Sequence, residues 1–293
     1  MRVFMTGATG FIGAAVIAEL RAAGHTVLGL ARSEANVAAL TAAGVEPHRG
    51  ELTDLDSLVA GAAACDGVIH LGFVHDFANF MASVEIDRLA VEAMTGALKG
   101  SGKPMVIASG TMMVNHGRPA MEADDPLSRE APRAASEAMV LETPGLRGAV
   151  VRLAPAVHDR TRAGLVTGIA QSARAKGVAA YIGEGANRWP AVHVLDAARL
   201  FALALDKAGP GTKLHAVAEE GVGLREIAKT IGERLGVPVR SVTAEEAFAY
   251  LDTMAMFAGV DNPASSAVTR ATMGWIPTRI GLLADVAQGD FLA

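Results

Sequence analysis

The stretch that most constrains this chain is Val3-Phe4-Met5-Thr6-Gly7-Ala8-Thr9-Gly10-Phe11-Ile12-Gly13. Arg2 to Met5 reads as a short apolar strand and Phe11 to Ala23 as a helix, with a glycine at every third position between and into them. A glycine-rich turn from a strand into a helix is a phosphate cradle. Gly7 allows the tight turn, Gly10 lets a diphosphate approach the backbone, and Gly13 lets the helix pack on its strand. The free N–H groups and the positive dipole end of the helix face the anion. The strand–turn–helix context favours a dinucleotide site over a merely structural turn, with Gly7, Thr9, Gly10, Phe11, Ile12 and Gly13 against the cofactor.

The rest of the first half repeats the rhythm. Strands are expected at Thr26–Ala31, Val45–Arg49, Gly67–Leu71, Met105–Ser109 and Gly148–Leu153, with helices at Glu34–Ala43, from Thr53-Asp54 past Val59, at Ser83–Leu98 and at Ala134–Leu141. Strands apolar throughout and separated by helices mean a parallel sheet covered on both faces. Right-handed crossovers make it doubly wound. The predicted fold is therefore α/β: a doubly wound parallel (Rossmann) sheet over residues 1–155, followed by a smaller C-terminal α/β substrate region over 156–293. Elements around 191–218 are expected to pack back on the sheet. In that second region helices are expected at Ala163–Lys176, Asp196–Ala208 and Leu224–Leu235, with Asp196 as a cap. Short strands are expected at Val178–Ile182, Ala191–Val194 and Leu214–Ala218, with Arg188-Trp189-Pro190 as a bend.

A length of 293 residues with 51% hydrophobic content supports a sizeable core, and a formal net charge of -5 without a basic excess argues against a nucleic-acid partner. The single cysteine, Cys65, excludes an internal disulfide framework and reads as a small buried residue in a reducing compartment. No membrane span or leader is visible, so a cytoplasmic location is expected. No Cys/His cluster has metal-ligand spacing and no Gly-x-Ser-x-Gly elbow occurs, so neither a metal nor a serine nucleophile is expected.

Arg32 and Ser33 end the second strand, where such folds meet the adenosine ribose. A carboxylate there selects NAD, whereas a guanidinium pairs with a 2′-phosphate. With no acid at the strand tip, NADP(H) is preferred and NAD(H) remains possible. Glu51 and Leu52, after strand three, fall where the adenine would lie. Leu71, Gly72 and Phe73, after strand four, fall near the ribose or diphosphate. Loop packing is the plain alternative for both groups.

Thr6 to Gly13, Asp66-Gly-Val-Ile-His-Leu71, Val106-Ile-Ala-Ser-Gly-Thr111, Val151-Arg-Leu-Ala-Pro155 and Val192-His-Val-Leu-Asp196 resemble, in order, the landmarks of the extended short-chain dehydrogenases/reductases, the epimerase/dehydratase-like superfamily. The resemblance spans nearly the whole chain. It implies a Rossmann domain, a small substrate domain and bound NAD(P), with Ser109 and Pro155 added to the cofactor contacts. It also implies a homodimer through two helices, here 83–98 and 134–141.

The resemblance breaks at the catalytic pair. The family places a Ser or Thr after strand five, matched by Thr111, and then Tyr-x-x-x-Lys on the next helix. The tyrosine, its pKa lowered by the lysine and the cofactor, moves a proton on the substrate oxygen. Counting from Thr111 puts Ser136 and Val140 at those positions; matching on Glu142 puts Ala134 and Ala138 there. The chain's two tyrosines are followed four residues later by Gly185 and Met254, so no Tyr-x-x-x-Lys occurs. The chain resembles an atypical subgroup. Substitute proton donors are His75 in the loop after strand four and His116 in the loop after strand five, because histidine titrates near neutrality. Tyr181, Arg188 and Trp189 could line a substrate pocket. His193 reads as structural, and Ser136 as a helix-surface or packing residue.

The expected function is an NADP-dependent reductase or dehydrogenase acting on a small, rather apolar carbonyl or imine, with Thr111 orienting the substrate. The alternatives are a silent NADP(H)-binding sensor or partner-binding protein, and a lyase or isomerase of the same fold.

Overall fold

The computed structural model describes residues 1–76, 79–128 and 131–290. The first half runs β1 (Arg2–Thr6), α1 (Phe11–Ala22), β2 (Thr26–Ala31), α2 (Glu34–Ala42), β3 (Glu46–Arg49), α3 (Leu55–Ala63), β4 (Gly67–His70), α4 (Phe80–Leu98), β5 (Pro104–Gly110), α5 (Ala134–Glu142) and β6 (Arg147–Leu153). Then come β7 (Ala156–Asp159), β8 (Arg162–Ala163), α6 (Leu165–Lys176), β9 (Ala179–Ile182), β10 (Arg188–His193), α7 (Val194–Lys207), β11 (Thr212–Ala216), β12 (Glu219–Gly223), α8 (Leu224–Leu235) and β13 (Val239–Val242). Four short helices follow: α9 (Ala247–Leu251), α10 (Ala255–Ala258), α11 (Ala267–Met273) and α12 (Leu282–Gln288).

Seven strands form one sheet in the order β11-β6-β5-β4-β1-β2-β3, every neighbouring pair parallel. This is the expected doubly wound arrangement. Alternation along each strand sends neighbouring residues to opposite faces. Val3, Met5, Ile69, Val106 and Val151 join the core under α1 and α7. Phe4, Val68, Met105, Ile107 and Val150 join the core under α3, α4 and α5. The strand order reverses between β1 and β4, and a crevice opens at the carboxyl ends of strands at such a switch point.

α7 packs on α1, and β11 pairs with β6, so this late stretch belongs to the main sheet. The remainder forms a four-stranded sheet, β12-β10-β7-β8, and a two-stranded one, β13-β9. Its separate core gathers Val166, Ile169, Trp189, Ile227, Ile231 and Leu282. Among the described residues no helix is long and apolar enough to cross a membrane.

Several local expectations are corrected. Arg188-Trp189-Pro190 is part of strand β10, not a bend; Pro190 falls at a register shift between Trp189 and Ala191, where its missing N–H is tolerated. Arg162–Ala163 is a strand rather than the start of α6. The cap of α7 is His193, whose Nδ1 accepts from Leu195 N, while the Asp196 carboxylate accepts from the backbone N–H groups of Thr278 and Arg279. Asp54 does cap α3, accepting from Ser57 N. Cys65 is buried, and burial pushes its thiol pKa up.

Candidate functional site

The glycine turn is built against the loop after β4. Gly7 has φ 67°, and a Cβ there would come 2.7 Å from the carbonyl carbon of Leu71. A Cβ on Gly13 would come 2.1 Å from the Gly7 oxygen, so only glycine lets α1 approach this closely. Around Gly10 only that same oxygen, at 3.1 Å, lies within 4 Å of an added Cβ. Gly10 is also the N-cap of α1, without a side-chain cap and without an acid in the first turn. The first N–H groups of the helix are therefore left for an anion. This cradle fits a dinucleotide diphosphate.

Around the cradle, Asn36 donates to the Thr9 hydroxyl at 2.8 Å, and its own N–H is capped by Ser33, which ties the β2 tip to the turn. Arg32 is exposed and has no hydrogen bond or ion pair with another described residue, whereas the neighbouring Glu34 is engaged by Arg49. Glu51 is exposed and accepts from the Thr53 hydroxyl. Leu52 closes on Gly72, where a Cβ would come 3.0 Å from its Cδ2.

Behind the crevice lies a buried polar chain that the sequence reading did not assemble. Thr6 Oγ1 accepts from Gly72 N at 3.0 Å and lies 2.7 Å from His70 Nδ1. With the Gly72 N–H already accepted, the threonine hydrogen is available to Nδ1, and His70 Nε2–H then faces Asp87 Oδ1 at 3.2 Å. Asp87 also accepts from Ser136 Oγ at 2.7 Å and from Arg133 Nη2 at 3.0 Å. Burial alone would raise the Asp87 pKa. The His70 hydrogen bond and the Arg133 charge, with the Ser136 hydroxyl, reverse that and hold it well below the usual carboxylate range. Ser136 is thus a buried brace from α5 to α4, the packing rather than the helix-surface alternative.

Arg133 carries this network to the edge of the crevice. It adopts a left-handed backbone conformation, φ 64°, and its guanidinium lies 4.8 Å from the centre of the Phe73 ring. Phe73 stands edge-to-face with His75 at 5.3 Å and near Phe80 at 6.1 Å. From the C-terminal region Arg162 reaches over Phe11, 5.7 Å from its ring centre. His75 is exposed at its outer side. Even so, packing against its neighbours lowers its pKa, and the charges of Arg133 and Arg162 lower it further.

The other expected residues separate. Thr111 is fully buried at the end of β5, and its hydroxyl accepts from Asn262 Nδ2 at 2.9 Å. Asn262 in turn donates its backbone N–H to the Arg188 carbonyl, and Asp261 pairs with the Arg188 guanidinium at 2.9 Å. One segment, Asp261-Asn262, therefore links Thr111 and Arg188. Ser109 is buried, with no hydrogen-bond partner for its hydroxyl among the described residues. Pro155 offers its carbonyl to Leu165 N at the start of α6. Trp189 is not a pocket residue: it is fully buried in the C-terminal core, its Nε1 donating to the Val260 carbonyl. Tyr181 sits in the two-stranded sheet with Arg225 over its ring at 5.6 Å. His116 is exposed and bound to the Asp125 carbonyl at 2.9 Å. Asp87, Arg133, Arg162 and Asn262 were missed. The signal for the first two was a carboxylate in the helix expected after β4 and an arginine just before the helix expected after β5, but nothing local pairs them.

A parallel sheet with a glycine-rich cradle at its switch point defines a dinucleotide-binding protein. The chain matches the NAD dependent epimerase/dehydratase family over residues 3–217, and it belongs to that family, within the extended short-chain dehydrogenase/reductase fold. It is 44% identical to an uncharacterized protein of Schizosaccharomyces pombe, over 99% of this chain and 100% of the relative. It is 43% identical to one of Saccharomyces cerevisiae, over 98% of both. A 2-alkyl-3-oxoalkanoate reductase of Stenotrophomonas maltophilia is 26% identical over 81% of this chain and 77% of its own length. Among solved structures, UDP-glucose 4-epimerase of Thermus thermophilus in complex with NAD superposes with a TM-score of 0.75 at 21% identity, covering 98% of this chain and 97% of the other. Membership of this family makes an NAD(P)-dependent oxidoreductase-type function the class of this protein.

Proposed function

We propose that the protein is an NADP-dependent reductase of a small carbonyl or imine compound with a largely apolar body. The observation that carries this reading is the cradle at Gly7–Gly13 with Arg32 at the β2 tip and no acid beside it free of a partner. A reduced nicotinamide, when bound, supplies hydride at the carboxyl edge of the sheet. The N–H groups at the start of α1 hold the diphosphate, and Arg32 with Ser33 holds the 2′-phosphate. Phe11, Phe73 and Phe80 give the crevice apolar walls. His75 supplies the proton from the loop after β4, where it stands against Phe73. Thr111, closed off by Asn262, positions the end of β5. The relative that reduces a 2-alkyl-3-oxoalkanoate supports a carbonyl substrate. The reading includes a homodimer through α4 and α5, which pack on one another along one face of the sheet.

The test is NADPH oxidation over ketones, oxo acids and imines, beside NADPH and NADH titrations of wild type and Arg32→Ala. Arg32→Ala should weaken NADPH about tenfold or more and NADH hardly at all, the scale of one lost charge-assisted contact. Equal loss for both dinucleotides removes the NADP assignment. One observation favours a second reading, a sensor that binds NADP(H) without turnover: the Thr111 hydroxyl is already occupied within a fully buried site. Tight NADPH binding with no oxidation over the whole panel would select it.

A further inference from the structure

Two guanidinium groups lie over aromatic rings of the segments that border the crevice. Arg133 comes from the helix side, anchored by Asp87 and lying over Phe73. Arg162 comes from the β7–β8 hairpin and lies over Phe11, the first residue of the cradle helix. The turn and the β4 loop that carry those two rings touch through Gly7 and Leu71, and both guanidinium charges act on His75.

Their pairing is unequal. Arg133 has a partner in Asp87, and its left-handed backbone is held by that partner together with the Glu137 N–H bond to its carbonyl. Such a conformation is uncommon for a residue with a Cβ and marks sites where geometry is imposed for use. Arg162 is exposed and has no acid paired with its guanidinium among the described residues; the nearby Asp159 spends its Oδ1 on the N–H groups of Thr161 and Arg162. Arg162 thus presents a guanidinium with no paired acid among the described residues, beside the positive end of α1, and an aromatic ring lies under each of the two guanidinium groups. Guanidinium planes bind carboxylates and phosphates bidentately.

We propose that Arg162, with Arg133 opposite, receives the acid group of the substrate, so that the substrate is an oxo acid: a carbonyl compound whose carboxylate is clamped by the two arginines while its apolar part lies on Phe11, Phe73 and Phe80. This rests on the reductase reading above and names its substrate class. The same anion chemistry could come from the cofactor diphosphate, and the test separates the two.

The experiment uses the full chain and the matched pairs acetoacetate and methyl acetoacetate, and 3-oxohexanoate and its methyl ester. Binding to the NADP+ complex is read by calorimetry, and turnover by NADPH oxidation. The acids are expected to bind about tenfold or more tighter than their esters. Arg162→Ala, a surface change, should abolish that preference and leave the NADPH Kd within about twofold. Arg133→Lys, which keeps a cation beside Asp87, should reduce the preference partially, since an ammonium lacks the planar fork. Esters that bind as well as acids overturn the proposal. So does an Arg162→Ala enzyme that loses NADPH affinity while keeping its acid preference, because the charge then serves the cofactor. Arginine-dependent acid binding without NADPH oxidation sustains the anion site and sinks the reductase reading instead.

Discussion

Two buried histidine–aspartate pairs, one in each half of the molecule, are built from the same residue types and finished differently. In the first, Asp87 is met by His70, Ser136 and Arg133, and the second ring nitrogen of His70 is met by Thr6. In the second, where α12 meets β7, His158 Nδ1 lies 2.6 Å from Asp285 Oδ2, and His193 Nε2 is 3.8 Å from the same oxygen. There Asp285 Oδ1 and His158 Nε2 are buried without a hydrogen-bond partner among the described residues. Beside it opens a cavity of about 540 Å³ that Asp285 and His193 line with Arg160 and Arg279. The first pair is a finished brace that fixes β1, β4, α4 and α5 behind the cofactor crevice. The second retains buried polar atoms that no hydrogen bond among the described residues offsets. A buried carboxylate steadies its surroundings only when its lone pairs and its charge are both matched.

The largest effect that can break this contrast is removal of each carboxylate. Asp87→Ala should destabilise the protein by about 3–5 kcal/mol, because it strands Arg133 and removes the partner of His70 and Ser136. Asp285→Ala should cost less, about 1–3 kcal/mol, because one of its oxygens already lacks a partner. Urea unfolding measures both; equal losses erase the distinction.

Acid sharpens it next. Asp87 has a depressed folded pKa, so its stabilisation is complete above the ordinary value of 3.8 and is lost as pH falls below that through the folded pKa. Asp87→Asn should therefore flatten the fall in stability below about pH 4, relative to wild type. An unchanged slope would show that other carboxylates govern acid unfolding.

The smallest effect lies nearer neutrality. Burial lowers the His193 pKa below 6.5; Asp285, Asp196 and Asp159 pull it up, and His158 pushes it down. The neutral form is favoured by the fold, so its contribution is complete above pH 6.5 and declines as pH falls through the lowered value. Hydrogen exchange compared at pH 7 and pH 5.5 should show loosening around β10, α12 and the start of α7, with β4 and α4 unchanged. Uniform loosening would count against it.

Much of the fold was legible because its signals are local. The glycine turn prescribes a backbone path within a few residues, and apolar strands alternating with helices permit few arrangements other than a covered parallel sheet. The weaker strands β7, β12 and β13 escaped because four- and five-residue segments such as Val239–Val242 carry no periodicity of their own. Trp189 was misjudged for a related reason: an arginine–tryptophan pair before a proline looks like a loop until β12 and β7 flank it.

Residue type and short spacing are enough to specify the glycine cradle, the sheet class and the lack of a Tyr-x-x-x-Lys pair. The surroundings of the crevice came from tertiary packing. It drew Thr6, His70, Asp87, Arg133 and Ser136 from β1, β4, α4 and α5 into one network, brought Arg162 over Phe11 from the other side, and closed Thr111 under Asn262. Charges and hydrogen bonds act over a few ångströms in space, and that neighbourhood is fixed by strand order and helix packing rather than by distance along the chain.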